Sequence, residues 1–163
     1  MSTGYNWRAT LTEFAAISGV LAGFSVTFIA VVLGGPVADI EICGKGMTFG
    51  QISVLMFGIS TAFFITSAEL FLHAKEFDVF SIPEPYRKLL KEDCEQRKED
   101  WAEFEDKQTK QCKQSERLGR YCYNIAIFMI FIGLLFVIAP YNITIAIIVS
   151  GIGMLLEIWQ VAR

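Results

Sequence analysis

Histidine occurs once in this chain of 163 residues, at position 73, and that scarcity removes a good deal of enzyme chemistry. Catalytic triads built on imidazole are hard to assemble from one histidine, and a zinc site of the HExxH type needs two. Glycine-rich loops of the mononucleotide and dinucleotide kinds are also missing. The four cysteines stand at positions 43, 94, 112 and 122, with no CxxC spacing among them. Zinc-ribbon and thioredoxin-like chemistry therefore lack their ligands. These absences predict a protein that is not an enzyme and carries no cofactor; they assign no metal.

Charge is scarce as well, at 19% of residues, while apolar residues make up 53% and mean hydropathy is +0.45. The apolar residues gather in four stretches, at about 14–33, 47–72, 121–139 and 143–161. A hydrocarbon core of about 30 Å takes about 20 helical residues. The first stretch is too long for the apolar core of a cleaved signal. The expected fold is an all-α membrane protein, a four-transmembrane-helix antiparallel bundle forming a single domain over 1–163. Its spans would lie at about 11–33, 47–72, 118–139 and 142–161. A helical cytoplasmic extension, at about 76–117, would separate the second span from the third. Sequence neighbours should pair as hairpins, the third and fourth most tightly, because only Pro140, Tyr141 and Asn142 join them. Asn142 opens a glycosylation acceptor, Asn142-Ile143-Thr144, in a turn too close to the bilayer to be used.

Basic residues are distributed unevenly. Of the fourteen Lys and Arg residues, all but Arg8, Lys45 and Arg163 lie between Lys75 and Arg120, the connection from the second span to the third. Basic loops stay on the cytoplasmic side, so the reading is a multi-pass protein of the cell membrane with both termini cytoplasmic. Cys43 would then be the one cysteine facing outward.

The long connection has no proline or glycine from Tyr86 to Leu118. Tyr86, Leu90, Cys94, Trp101 and Phe104 recur at helical spacing, which draws a narrow apolar stripe on a charged rod. Tyr86, Leu90, Trp101 and Phe104 are the candidates for contact with a cytoplasmic protein partner. Acids interleave with the bases, so the segment is nearly neutral, which argues against a nucleic-acid partner or an anionic-lipid patch. Two arrangements are open: a helix that doubles back near Gln108, Gln111 and Gln114, or one continuous with the third span.

Ionisable groups inside apolar spans are expensive, so they are the default functional candidates. Glu13, Glu69 and Glu157 are three such groups, and His73 shares the helix face of Glu69 four residues on. Those four are the pore or ion-binding candidates. Arg120 is an ion-pair candidate, with Glu157 as its expected partner. Ala15, Gly19, Gly23 and Thr27 follow one another at four-residue intervals, a pattern that lets helices approach closely. Ser53, Ser60 and Ser67 fall seven apart on one seam, either facing an axis or bonded back to their own helix carbonyls. The leading functional expectation is an oligomeric channel or small-solute permeation protein, cation-conducting, with the first two spans lining the axis. The alternative is a non-enzymatic membrane scaffold or sensor whose charged helix recruits a soluble partner. In both, the lipid bilayer is the first partner, and the channel requires a homo-oligomer.

Overall fold

The computed structural model describes residues 7–42, 46–77, 84–96 and 100–161. Five α-helices account for most of them: α1 (Trp7–Gly34), α2 (Phe49–Glu76), α3 (Glu84–Gln96), α4 (Trp101–Ile138) and α5 (Ile143–Val161). No strand occurs among the described residues. Cys43, read above as the outward cysteine, lies outside them.

Several helix boundaries have a local cause. After α1 a short 3-10 turn, Pro36–Asp39, leads to an isolated bridge between Glu41 and Thr48. The chain reverses there through Gly46, whose φ of +69° suits a residue without a Cβ. Thr48 and Gln51 then form a reciprocal cap on α2, each side chain bonding the other's backbone N–H at 3.1 Å. Asp100 caps α4 by accepting from the Ala102 N–H at 2.9 Å. Asn142 does the same for α5, accepting from the Ile145 N–H at 3.1 Å. The asparagine of the glycosylation signal is thus a helix cap.

Seven-residue periodicity organises the interior. The buried residues of α2 are Gly50, Ser53, Phe57, Ser60, Phe64, Ser67, Phe71 and Ala74, in alternating steps of three and four. Such a repeat holds one seam against its neighbours along the whole helix. On α4 the buried residues are Cys112, Gly119, Ala126 and Gly133, each seven from the next. Serine hydroxyls tie the two repeats together. Ser67 donates to the Gly119 carbonyl at 2.9 Å, Ser60 to that of Ala126 at 2.9 Å and Ser53 to that of Gly133 at 3.3 Å. Between the serines, the phenylalanines fill what the small residues leave. A Cβ on Gly133 would stand 2.8 Å from the Phe57 ring, and one on Gly119 would stand 3.1 Å from that of Phe71. Phe64 packs with Ala126 in the same core.

α1 repeats the pattern with Leu11, Ala15, Ser18, Ala22, Ser25 and Val32 buried. The hydroxyls of Ser18 and Ser67 are 3.4 Å apart, as are those of Ser25 and Ser60. Residue numbers rise along one helix as they fall along the other, here and between α2 and α4. Phe14 stacks on Phe71 at 5.3 Å and Phe28 on Phe57 at 5.2 Å, closing the layer above the α2–α4 seam.

α2 with α4 is the most extensive helix pairing, followed by α1 with α2; α5 rests mainly on α4 and meets it less. The expectation that the third and fourth spans pack most tightly is corrected accordingly. A short turn makes α4 and α5 neighbours, but the depth of contact follows where glycines let backbones close in, and α2 meets two of them. α5 brings one to α4, Gly153, which lies under the Phe131 ring.

α4 also settles the two arrangements of the long connection. It runs unbroken for 38 residues, about 57 Å at the helical rise. Gln108, Gln111 and Gln114 sit within it, and no turn is made there. Among the described residues three helices are long and apolar enough to cross a membrane, within Leu11–Gly34, Phe49–Glu76 and Trp101–Ile138. These mark a membrane protein. The fourth stretch is a shorter apolar helix, Ile143–Trp159.

Candidate functional site

The serines of α2 define what the interior can do. Their hydroxyls are fully buried, and each donates to a carbonyl of α4, Ser53 also reaching the Phe49 carbonyl of its own helix at 2.9 Å. Flanked by Phe57, Phe64 and Phe71, all at most 1% exposed, they form a packed seam shielded from solvent. The hydroxyl ladder joins three helices, and it faces no axis outside the chain.

Of the small residues singled out on α1, Ala15 belongs to the buried seam. Gly19 and Gly23 do not: an added Cβ at either would meet nothing within 4 Å. Thr27 is exposed and donates to the Gly23 carbonyl at 3.0 Å. The close approach expected at Gly19 and Gly23 is made within the chain at Gly119 and Gly133.

The carboxylates fall into two groups. Glu13 stands two residues from both Leu11 and Ala15, and Glu69 two residues from both Ser67 and Phe71. Two residues turn the helix by about 200°, so each occupies the back of its helix, and both are exposed. Neither makes a hydrogen bond or ion pair with another described residue. Glu157 lies seven residues after Ser150 and four after Gly153, on the side of α5 that meets α4, and is half-buried. Ser150 is itself buried, and its hydroxyl has no partner among the described residues.

His73 is more than half exposed and pairs with Glu76 at 3.1 Å, its ring edge-on to Phe77 at 4.5 Å. It therefore turns away from Glu69 as a hydrogen-bond partner. Arg120 bonds Glu116, one helical turn earlier, at 2.6 Å; Glu157 is not its partner. Among the described residues no group of three His, Cys, Asp or Glu side chains stands together as a metal site.

Known proteins give no second line of argument. The chain matches no protein-family model, no curated protein and no solved structure. What it does must be argued from its own residues.

On the polar arm, Tyr86 is exposed, whereas Leu90, Trp101 and Phe104 are half-buried. Trp101 and Phe104 hold their rings 5.6 Å apart on α4, and Cys94 of α3 is completely buried. Sequence reasoning overlooked Cys112, Gly119, Ala126 and Gly133, although their seven-residue spacing equals that of Ser53, Ser60 and Ser67. The signal was a shared period on two helices, and each half is inconspicuous alone.

Proposed function

We propose that the chain is an oligomeric integral membrane protein that conducts small cations along a path between subunits. One observation carries this reading: Glu13 and Glu69 stand exposed on the outer backs of apolar helices with no ion pair to any described residue, while the seam between those helices is buried. A carboxylate facing hydrocarbon is costly, by about 2.5 kcal/mol or more at a span's centre. Water, a cation or a neighbouring subunit at those positions lowers that cost. Since the seam of α1, α2 and α4 is buried and bonded across, the proposed path runs where copies meet. The outer face of α1 and α2 supplies its wall, with Glu13 and Glu69 attracting cations.

In this reading α1, α2, α4 and α5 make a four-span antiparallel bundle. The basic residues between α2 and α4 support a cytoplasmic long connection and cytoplasmic termini. Both carboxylates then lie toward the cytoplasmic side. Recording from reconstituted protein tests it: Glu69→Lys should lower cation selectivity and conductance several-fold. Conductance and selectivity unchanged by that reversal would overturn the assignment.

A second reading, a membrane sensor or scaffold, draws on the continuity of α4. A helix that runs without interruption from Trp101 into the apolar span joins the cytoplasmic arm rigidly to the core. Deleting residues 84–96 should then abolish recruitment of a soluble partner while the membrane helices still assemble.

A further inference from the structure

Between α3 and the first turns of α4 lies a half-open groove of about 300 Å³, lined by Glu84, Arg87, Lys88, Lys91, Trp101 and Glu105. This volume is at the lower end of the range for small-molecule sites, roughly 300–1,000 Å³. The four α3 residues fall at i, i+3, i+4 and i+7, which places them on one face of that helix. Three of them are bases, against two acids in the whole lining.

Pairing inside the groove leaves much of this charge free. Arg87 approaches Glu84 only at 3.8 Å, with both side chains well exposed, and an exposed pair of that length contributes little. Lys88 and Lys91 make no ion pair with any described residue. The acids that follow on α3, Glu92, Asp93 and Glu95, do not line the groove. Near-neutrality of the segment as a sequence therefore conceals a local excess of positive charge, which folding gathers on one side of α3. Trp101 adds a half-buried indole to the wall.

We propose that this groove binds a small, soluble, phosphate-bearing anion, held by Arg87, Lys88 and Lys91 against Trp101. Guanidinium and ammonium groups are the usual donors to phosphate oxygens, Arg as a planar fork and Lys as a mobile point charge. A lipid headgroup offers the same chemistry, and the geometry of α4 decides between the sources. The apolar part of α4 begins near Tyr121, twenty residues after Trp101, so the groove stands about 30 Å further along the helix. Even a tilt of about 40° leaves it well beyond a headgroup layer of roughly 5–8 Å. The site opens to the aqueous compartment, and the rigid α4 connects it to the membrane core.

Calorimetric titration of the full chain in neutral phosphatidylcholine nanodiscs, with inorganic pyrophosphate as the probe, tests this. Saturable binding is expected. The double variant K88E/K91E should weaken it at least tenfold, K88R/K91R should retain it, and K107E/K113E, outside the groove, should leave it unchanged. Circular dichroism of the variants checks that helix content is preserved. Absence of saturable binding would overturn the proposal, as would equal weakening by the two charge-reversed pairs. Association with separately prepared phosphatidylserine vesicles, lost in K88E/K91E without any response to pyrophosphate, would assign the groove to headgroups and overturn the soluble source.

Discussion

Gly133 and Ser60 carry the two kinds of contact that hold the seam, and they should respond differently to substitution. At Gly133 a methyl group would press on the Phe57 ring at 2.8 Å, and the ring is boxed in by Phe28 on its other side. Gly133→Val should therefore destabilise the fold by about 1–3 kcal/mol, the usual cost of overpacking, read from denaturant titration in detergent. Ser60→Ala removes a hydroxyl from Ala126's carbonyl, which keeps its own helical donor. The expected loss is small, about 0.6 and at most about 1.7 kcal/mol, the range for hydrogen bonds between membrane helices. Phe64→Ala opens a cavity beneath α1. Its cost should fall below the roughly 3–5 kcal/mol of a water-soluble core, because lipid supplies little hydrophobic drive to the packed state. A Ser60→Ala loss above that of Gly133→Val would refute this ranking.

Register belongs to the helix as a whole. α2 and α4 meet through repeats of seven, so one alanine inserted in α4 between Gly119 and Ala126 turns everything beyond it by about 100°. Serines then face side chains too large for close approach, and assembly should fail; inserting a full seven residues at the same place should restore it in part. Cross-linking yield between cysteines placed at Phe49 and Phe136, whose rings lie 6.2 Å apart across the same pair of helices, reads the outcome. Helices and their approximate limits were legible from apolar length and, in the long connection, from the absence of proline and glycine between Tyr86 and Leu118. The seam was half legible: three serines seven apart indicate a face, yet nothing on α2 says which helix meets it. That information resides in Gly119, Ala126 and Gly133, scattered in the most uniformly apolar stretch, where small residues look incidental. Gly19 and Gly23 stand apart from that seam within the chain. Their spacing of four drifts off a seam of period seven, and they come to rest on open surface. The arm's continuity could be decided only by Trp101 onward forming a single helix, since a glutamine-rich stretch suits a helix interior and a turn's approach alike.

At the scale of the molecule, the positions of the carboxylates were legible and their partners were not. Glu13, Glu69 and Glu157 were visible as charges within apolar stretches. Which way each points depends on where the seams fall, and the structure separates them: two face outward and one faces α4. Outward-facing Glu13 and Glu69 accord with the proposed axis between copies, lined by α1 and α2. Along the seam of α1, α2 and α4 the serine hydroxyls are bonded and the phenylalanines fill the spaces between them. The account consequently stands on association. The direct measurement is the mass of the protein particle in nanodiscs after correction for bound lipid. A closed assembly of several copies is predicted, dissociating or losing conductance when Glu13 and Glu69 are both replaced by lysine. A single copy per particle under all lipid compositions would contradict the account, since one sealed subunit has nowhere to carry an ion.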